Sequence, residues 1–271
     1  MEVTRSAYYC YLQKKNKITF DLDTKLTIEL KILHKKSNQS YGSRRMAKAL
    51  SAQGYNIGRY KARRLMRQNK ITCKQRRRYM VTTQSNHSLT IARNILNRNF
   101  NIEQPNRVWV SDITYLWTAE GWLYVAAVLD LFSRRVVGWS IADHMRADLV
   151  ENAFIMAKVR RQPLYGLLHH SDRGIQYASQ QYQQRLKGAG VIVSMSRKGN
   201  CWDNAVMERF FGTLKSERTD GKNYKTRDEA KADVIDFIEM FYNNQRLHST
   251  LNYVSPMHYE MNFKMSNKVV S

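Results

Sequence analysis

Hydrophobic residues recur at helical spacing through the first quarter of the chain and at strand spacing through its middle. From Thr24 to Lys36, Leu26, Leu30 and Leu33 fall at i, i+4 and i+7 with lysines over the remaining surface, which predicts a helix. Ser43 to Ala52 is a second, with Met46, Ala47 and Leu50 on one face, broken by Gln53-Gly54-Tyr55. Gly58 to Gln68 is a third: Ala62, Leu65 and Met66 point inward, while Arg59, Lys61, Arg63, Arg64 and Arg67 lie largely outward. A helix, a short glycine-containing turn and an arginine-rich helix make the layout of a helix-turn-helix, here over about 41–70 within a helical region 1–72. A small three-helix bundle with a solvated cationic face would carry the same pattern.

Residues 73–104 lose this periodicity. They contain Arg76-Arg77-Arg78 and one helical stretch near Leu89 to Asn99, stop at Pro105, and read as a basic linker. From Arg107 the period changes to two. Val108, Val110, Asp112, Thr114 and Leu116 share one face of a strand, and Trp109, Ile113, Tyr115 and Trp117 share the other. Ala119-Glu120-Gly121 is a hairpin signal before the apolar run Trp122 to Leu131, and a turn at Phe132-Ser133 leads into Arg135 to Ala142. Beyond this meander the pattern predicts a helix over Asp148 to Arg160, a strand over Gly166 to His170, a helix over Ser179 to Gly188 and a strand over Val191 to Met195. After a polar loop, Asp203 is placed to N-cap a helix reaching about Ser216. Three strands followed by helix, strand, helix, strand, helix is the order of a ribonuclease-H-like α/β domain, a five-stranded mixed sheet flanked by helices. It spans 105–225, and a last helix, Arg227 to Tyr242, with a polar tail fills 226–271.

Charge sharpens the picture. The 271 residues carry 45 Lys and Arg against 22 Asp and Glu, a formal net charge of +23, which calls for a polyanionic partner. Met1 to Gln104 holds 23 basic and 5 acidic residues, a net of +18, and the remainder 22 and 17, a net of +5. The front of the chain is thus the electrostatic grip, and the back is where carboxylates are needed. Cys10, Cys73 and Cys201 are odd in number and form no CxxC pair, which argues against a disulfide framework or a zinc site and for a reducing, cytoplasmic setting. No segment reaches the ~20 apolar residues of a membrane span, so no membrane partner is expected.

Three acidic residues stand where a sheet edge and an adjoining helix could aim them at one point. Asp112 sits inside an apolar strand, where an unpaired charge is costly without a cation or partner. Asp172 follows Leu167-Leu168-His169-His170-Ser171 at the carboxyl end of a strand, where α/β sheets commonly place ligands. Glu208 lies 35 residues after Asp172, on a helix with Ala205, Val206, Phe210 and Phe211. At 100° per residue Lys215 falls about 20° from Glu208 two turns on, while Asp203 and Glu217 fall about 140° and 180° away. Three carboxylates are the smallest sensible set for a pair of hard divalent cations, Mg²⁺ or Mn²⁺, acting on a phosphodiester. Asp130 reads as an ordinary turn residue. His169 and His170 face opposite ways on their strand, so at most one can look into such a site, and a structural role suits them better.

Trp109-Val110-Ser111-Asp112-Ile113-Thr114-Tyr115, the segment from His169 to Tyr177, the segment from Ser196 to Phe211, and Tyr242-Asn243-Asn244-Gln245-Arg246-Leu247-His248-Ser249-Thr250-Leu251 together carry a resemblance. They are similar to the bacterial insertion-sequence transposases with a retroviral-integrase-type core, in particular the second-reading-frame protein of the IS-three family. The likeness covers nearly the whole chain. It implies a DDE transposase in which Asp112, Asp172 and Glu208 are catalytic and bind metal, with Lys215 at the family's associated basic position. It also implies direct strand cleavage and strand transfer on double-stranded DNA, recognition of terminal inverted repeats and target DNA, assembly as a homo-oligomer on DNA, and a nucleoid-associated place in a bacterial cell. In this family an upstream reading-frame product is typically fused in front. This chain begins at Met1 shortly before Ser6-Ala7-Tyr8-Tyr9 and has no heptad run, the expectation for the unfused second product. Asn252 stands where the family usually has a glycine.

DNA contacts are expected from Arg59, Lys61, Arg63 and Arg64 of the helix-turn-helix, from Arg76, Arg77 and Arg78, and from Lys215. Two rival readings stay open at this level: a ribonuclease-H-like nuclease or resolvase that cuts without joining, and a DNA-binding regulator of the fused transposase that does no chemistry.

Overall fold

A computed structural model describes residues 4–74 and 89–269. The chain divides into two units, Met1–Gln75 and Arg76–Ser271. Arg76, Arg77 and Arg78 lie outside the described residues.

The first unit is all helical. Helix α1 (Arg5–Lys36) is longer than the periodicity alone indicated, and α2 (Ser43–Ala52) and α3 (Arg59–Gln68) follow within a residue of expectation. Leu26 and Leu30 of α1 are buried with Met46, Ala47 and Leu50 of α2 and Ala62, Leu65 and Met66 of α3, the three faces that the apolar spacing marked out. Asp23 of α1 pairs with Lys61 Nζ at 2.9 Å and Arg64 Nη2 at 2.7 Å, which locks α3 against α1.

The second unit is built on one mixed sheet of order β3-β2-β1-β4-β5. Strands β1 (Val108–Thr118), β2 (Gly121–Asp130) and β3 (Val136–Ala142) form the antiparallel meander, and β4 (Leu168–Ser171) and β5 (Ile192–Met195) add in parallel beside β1. Helices α4 (Ala147–Arg161), α5 (Ile175–Ala178) and α6 (Gln180–Gly188) cover one face. Their core joins Trp109, Ala126, Val128 and Val137 of the sheet to Val150, Phe154 and Tyr182. Gly138 is what lets α4 approach: a Cβ there would stand 2.2 Å from the carbonyl oxygen of Ala153. On the sheet's other side, Leu123 of β2 packs with Tyr224 and with Ala230 of α8 (Arg227–Asp236). Helix α7 (Ala205–Leu214) packs along β1.

Three local expectations change. No helix forms over Leu89 to Asn99. Leu96 is buried there, and the N–H groups of Ile95 and Leu96 donate to the hydroxyl of Ser194 on β5 at 2.9 and 3.2 Å, so the segment's polar backbone is satisfied by the sheet edge rather than by itself. The final segment is no plain tail. It ends in α9 (Pro256–Val269), whose buried Glu260 accepts from Ser133, Arg135 and both terminal nitrogens of Arg161. Third, α7 and α8 each widen into π-helical turns, Lys215–Thr219 and Phe237–Tyr242, where regular α-helix was expected. Among the described residues no helix is long and apolar enough to cross a membrane.

Candidate active site

Strand length creates the site. β1 runs for 11 residues but pairs with β4 only through Val108, Val110 and Trp109 between them, matched to Leu168, His170 and His169. Each pair differs by 60 in number, and so do Asp112 and Asp172, which lie two residues beyond the last pair, Val110 and His170, and open onto the same cleft. Beyond Val110 this edge of β1 has no β4 partner, which is how a residue in the middle of an apolar strand becomes reachable.

Asp112 and Asp172 both line a cleft of about 380 Å³ together with Tyr115, Trp122, Tyr124 and Gln176. Each acid is partly fixed. Asp112 Oδ1 accepts the N–H of Ile113 at 2.8 Å, and Asp172 Oδ1 accepts the N–H of Gly174 at 2.9 Å. Burial pushes the Asp112 carboxyl well above its ordinary value, the nearby Asp172 charge raises it further, and Glu208 adds to the same effect; the Ile113 N–H and Lys215 oppose them. A group under that pressure is a functional-site candidate by its physics alone. Tyr177, buried beside both aspartates, is held in its neutral form by burial and by their charges.

Glu208 and Lys215 come from helix α7 and the turn that follows it, packed along β1. Asn204, just before α7, donates from Nδ2 to the carbonyl of Ser111 at 3.3 Å, tying the start of that helix to the strand residue next to Asp112. Glu208 is exposed in the first turn of α7 and does not line the cleft, yet it stands close enough for its charge to act on Asp112. Lys215 is half-buried at the end of α7, with Nζ 5.0 Å from the centre of the Tyr115 ring. Burial lowers its pKa, against the pull of Asp220 and Asp112.

Among the described residues no three Asp, Glu, His or Cys side chains already converge as a metal cage. The donors present are nevertheless hard carboxylate oxygens, the kind magnesium prefers. Asp112 and Asp172 also disfavour each other's charge, a conflict that a divalent cation relieves. The donor set therefore fits magnesium or manganese.

The neighbouring groups set aside in the sequence have structural work. Asp203 does not N-cap α7: the cap is Asn204, without a side-chain bond to the helix. Asp203 is fully buried and accepts from Asn94, Arg98 and Arg197, and the bonds from Arg197 hold its carboxyl far below the usual range. Glu217 is buried in a two-bond pair with Arg246, at 2.6 and 2.7 Å. Asp130, at the end of β2, accepts the N–H of Phe132 in the following turn and the N–H of Asn106 from the segment before β1. The histidines do split between the two faces. His169 meets Tyr182 and the Phe154 ring, and His170 lies between Ser194 and Ser196, with burial pushing their pKa values down to about 3 and about 4.

Among the basic candidates of the first unit, Lys61 and Arg64 are engaged with Asp23, whereas Arg59, Arg63 and Arg67 are exposed. Tyr115, Trp122, Tyr124 and Gln176 are cleft residues that the sequence reading did not single out as functional. Their signal was the aromatic alternation on both arms of the hairpin, which acquires meaning only once Tyr115 is registered against Tyr124.

Comparison with known proteins agrees with this architecture. Models of the integrase core domain match residues 102–201 and 208–263, and a model of an HTH-like domain matches residues 21–79. The chain is 42% identical over 254 residues to the insertion element IS600 uncharacterized 31 kDa protein of Shigella sonnei, covering 94% of this chain and 93% of that one. It is 37% identical over 262 residues to transposase InsF for insertion sequence IS3A of Escherichia coli K12, covering 96% and 91%. The catalytic core domain of HTLV-2 integrase in complex with magnesium aligns with a TM-score of 0.45 at 18% identity, over 57% of this chain and 96% of that one. With relatives of this identity matched almost end to end, the chain belongs to the IS3 family of insertion-sequence transposases.

Proposed function

We propose that this chain cuts and joins DNA at the ends of an insertion sequence, with Asp112, Asp172 and Glu208 as the catalytic, metal-binding acids. The observation that carries the reading is the pairing of Asp112 with Asp172 at one open strand edge, with the charges of Glu208 and Lys215 acting on the same point. Bound there, a pair of Mg²⁺ or Mn²⁺ ions would supply positive charge to the attacking and leaving oxygens of an in-line phosphoryl transfer.

The protein's own part is positioning. The two N–H donors at Ile113 and Gly174 orient Asp112 and Asp172, and the strand register sets their spacing. The exposed Glu208 side chain would complete the set that holds the ions. Lys215 offers a cation for the backbone phosphate beside the cut. In the first step water displaces the 3′ oxygen from the phosphorus at the element's end and frees a 3′-hydroxyl. In the second, that hydroxyl loses its proton and bonds to a phosphorus of the target, the target's own 3′ oxygen leaves and takes up a proton, and one P–O bond replaces another without an external energy source.

Double-stranded DNA is the partner, held at terminal repeats by the helix-turn-helix through Arg59, Arg63 and neighbouring basic residues, on an assembly of several copies. The upstream reading-frame product would strengthen end recognition. The test is to incubate the chain with terminal-repeat DNA and Mg²⁺, with and without that product. Cleaved and joined products are expected. Cutting without joining of a pre-cut 3′-hydroxyl end would leave a nuclease, and binding without chemistry in both arms would leave a regulator.

A further inference from the structure

The cleft that holds Asp112 and Asp172 continues into a ladder of aromatic rings that the fold leaves open. Tyr115 and Trp117 on β1 are registered against Tyr124 and Trp122 on β2. Ring centroids are 4.8 Å apart for Trp117 and Trp122, 5.0 Å for Trp122 and Tyr115, and 6.4 Å for Tyr115 and Tyr124. Trp117 is nonetheless 61% exposed and Trp122 44%. Rings that served only to close the core would be covered, as Trp109 at the buried end of the same strand is.

The ladder also stands on a fixed support. At the hairpin tip Ala119 N donates to Tyr224 O at 3.0 Å, and Arg227 N donates to the Glu120 carboxylate at 2.7 Å. The exposed side chains of Met145 and Ile175 line the same cleft. Its lining thus combines aromatic rings, aliphatic side chains and the two aspartates. Lys215 Nζ, above the Tyr115 ring, places a cation at the junction.

We propose that this slot seats an unstacked nucleobase of the DNA strand being cut, within a few nucleotides of the scissile phosphate. The inference rests on the transposase reading and adds to it a residue-level contact outside the three acids. Reach supports it. Tyr115 and Trp117 lie three and five residues along β1 from Asp112, roughly 10 and 17 Å at ~3.4 Å per residue. That is the span of about three to five nucleotides at the ~3.4 Å rise of stacked duplex, and of fewer where the strand is splayed. Charge supports it too, since a chain of net +23 draws in a polyanion, and the Lys215 ammonium suits the phosphate next to the seated base. A slot made of π faces and methyl groups takes any base, because every base has a π face. Capture there would hold the strand splayed at the cut, as enzymes acting on extruded nucleotides do.

The test measures affinity, by fluorescence anisotropy of the full chain on terminal-repeat duplexes with a short unpaired flank. Each nucleotide near the cut is made abasic in turn, and Trp122→Leu and Trp122→Phe are compared with the unsubstituted chain. Trp122→Leu is expected to weaken binding to intact DNA about 10-fold, within the range that loss of one base–aromatic stack produces, and Trp122→Phe to restore most of it. One abasic position should erase the difference between Trp122→Leu and the unsubstituted chain. An equal loss on every abasic duplex, or no loss on intact DNA, overturns the seat. A base-independent loss accompanied by a lower oligomeric state in sedimentation also overturns it, and makes the ladder a contact between copies. Because affinity is the readout, the result stands whether or not the chain cuts; cleavage of the same duplexes with Mg²⁺ tests the transposase reading separately.

Discussion

Glu217, paired with Arg246, shows how similar acids acquire different fates. Both are buried, bonded twice to each other, and joined across 29 positions of sequence. Removing Glu217 takes two bonds from the buried Arg246 guanidinium, so Glu217→Ala is expected to cost about 3–5 kcal/mol of unfolding free energy in urea titration. Replacing both with apolar residues of similar size should cost far less. His169 gives a pH signature. Its folded pKa, about 3, lies below the ordinary 6.5, so as pH falls through ~6.5 the unfolded chain takes up a proton that the folded chain refuses. Its contribution is therefore present above about pH 6.5 and is lost progressively on acidification, at about 1.4 kcal/mol per pH unit. His169→Phe should remove that slope when unfolding free energies at pH 7 and pH 5 are compared, and the difference between the two proteins cancels groups such as Asp130, whose raised pKa of about 6 acts in the opposite sense. An unchanged slope would contradict the neutral, buried assignment. The acids were readable because a carboxylate inside an apolar strand or at a strand's end is locally conspicuous. The destination of Asp203 was not, since its partners Asn94 and Arg98 lie more than 100 positions away.

Elements were legible wherever one face is buried and the other solvated. The two shorter helices of the first unit and all five strands lie close to where period 3.6 and period 2 place them. Elements whose stability comes from distant partners were not. The segment around Leu96 has apolar spacing compatible with a helix, but Ser194 of β5 offers its backbone a better set of bonds. Helix α9 was hidden because its key residue, Glu260, is an acid paired with arginines from two other elements. Asn252 takes the left-handed backbone, φ +54°, a conformation that asparagine visits more readily than other side-chain-bearing residues. Gly138 is a stricter requirement. Gly138→Ala forces a side chain into the Ala153 carbonyl, and a loss of about 1–3 kcal/mol is expected, read as a lower thermal midpoint. An unchanged midpoint would mean that α4 moves aside without penalty.

For the whole molecule, charge and catalysis divide along the chain. The +18 carried by residues 1–104 should make DNA affinity fall steeply with salt, with a log–log slope of about −0.9 for each phosphate neutralised. Arg59→Ala and Arg63→Ala together are expected to flatten that slope by about two contacts. A slope unchanged in the double variant would move the grip elsewhere. The proposed chemistry rests on three acids spread over 97 residues of sequence, of which Asp112 and Asp172 line one cleft and Glu208 acts on Asp112 through its charge, and the most direct measurement is joining of a pre-cut terminal-repeat end to target DNA in Mg²⁺. Asp112→Ala, Asp172→Ala and Glu208→Ala are each expected to abolish joined product while retaining the DNA in a gel. Joined product from any one of the three, at a rate near that of the unsubstituted chain, would remove that residue from the metal-binding set.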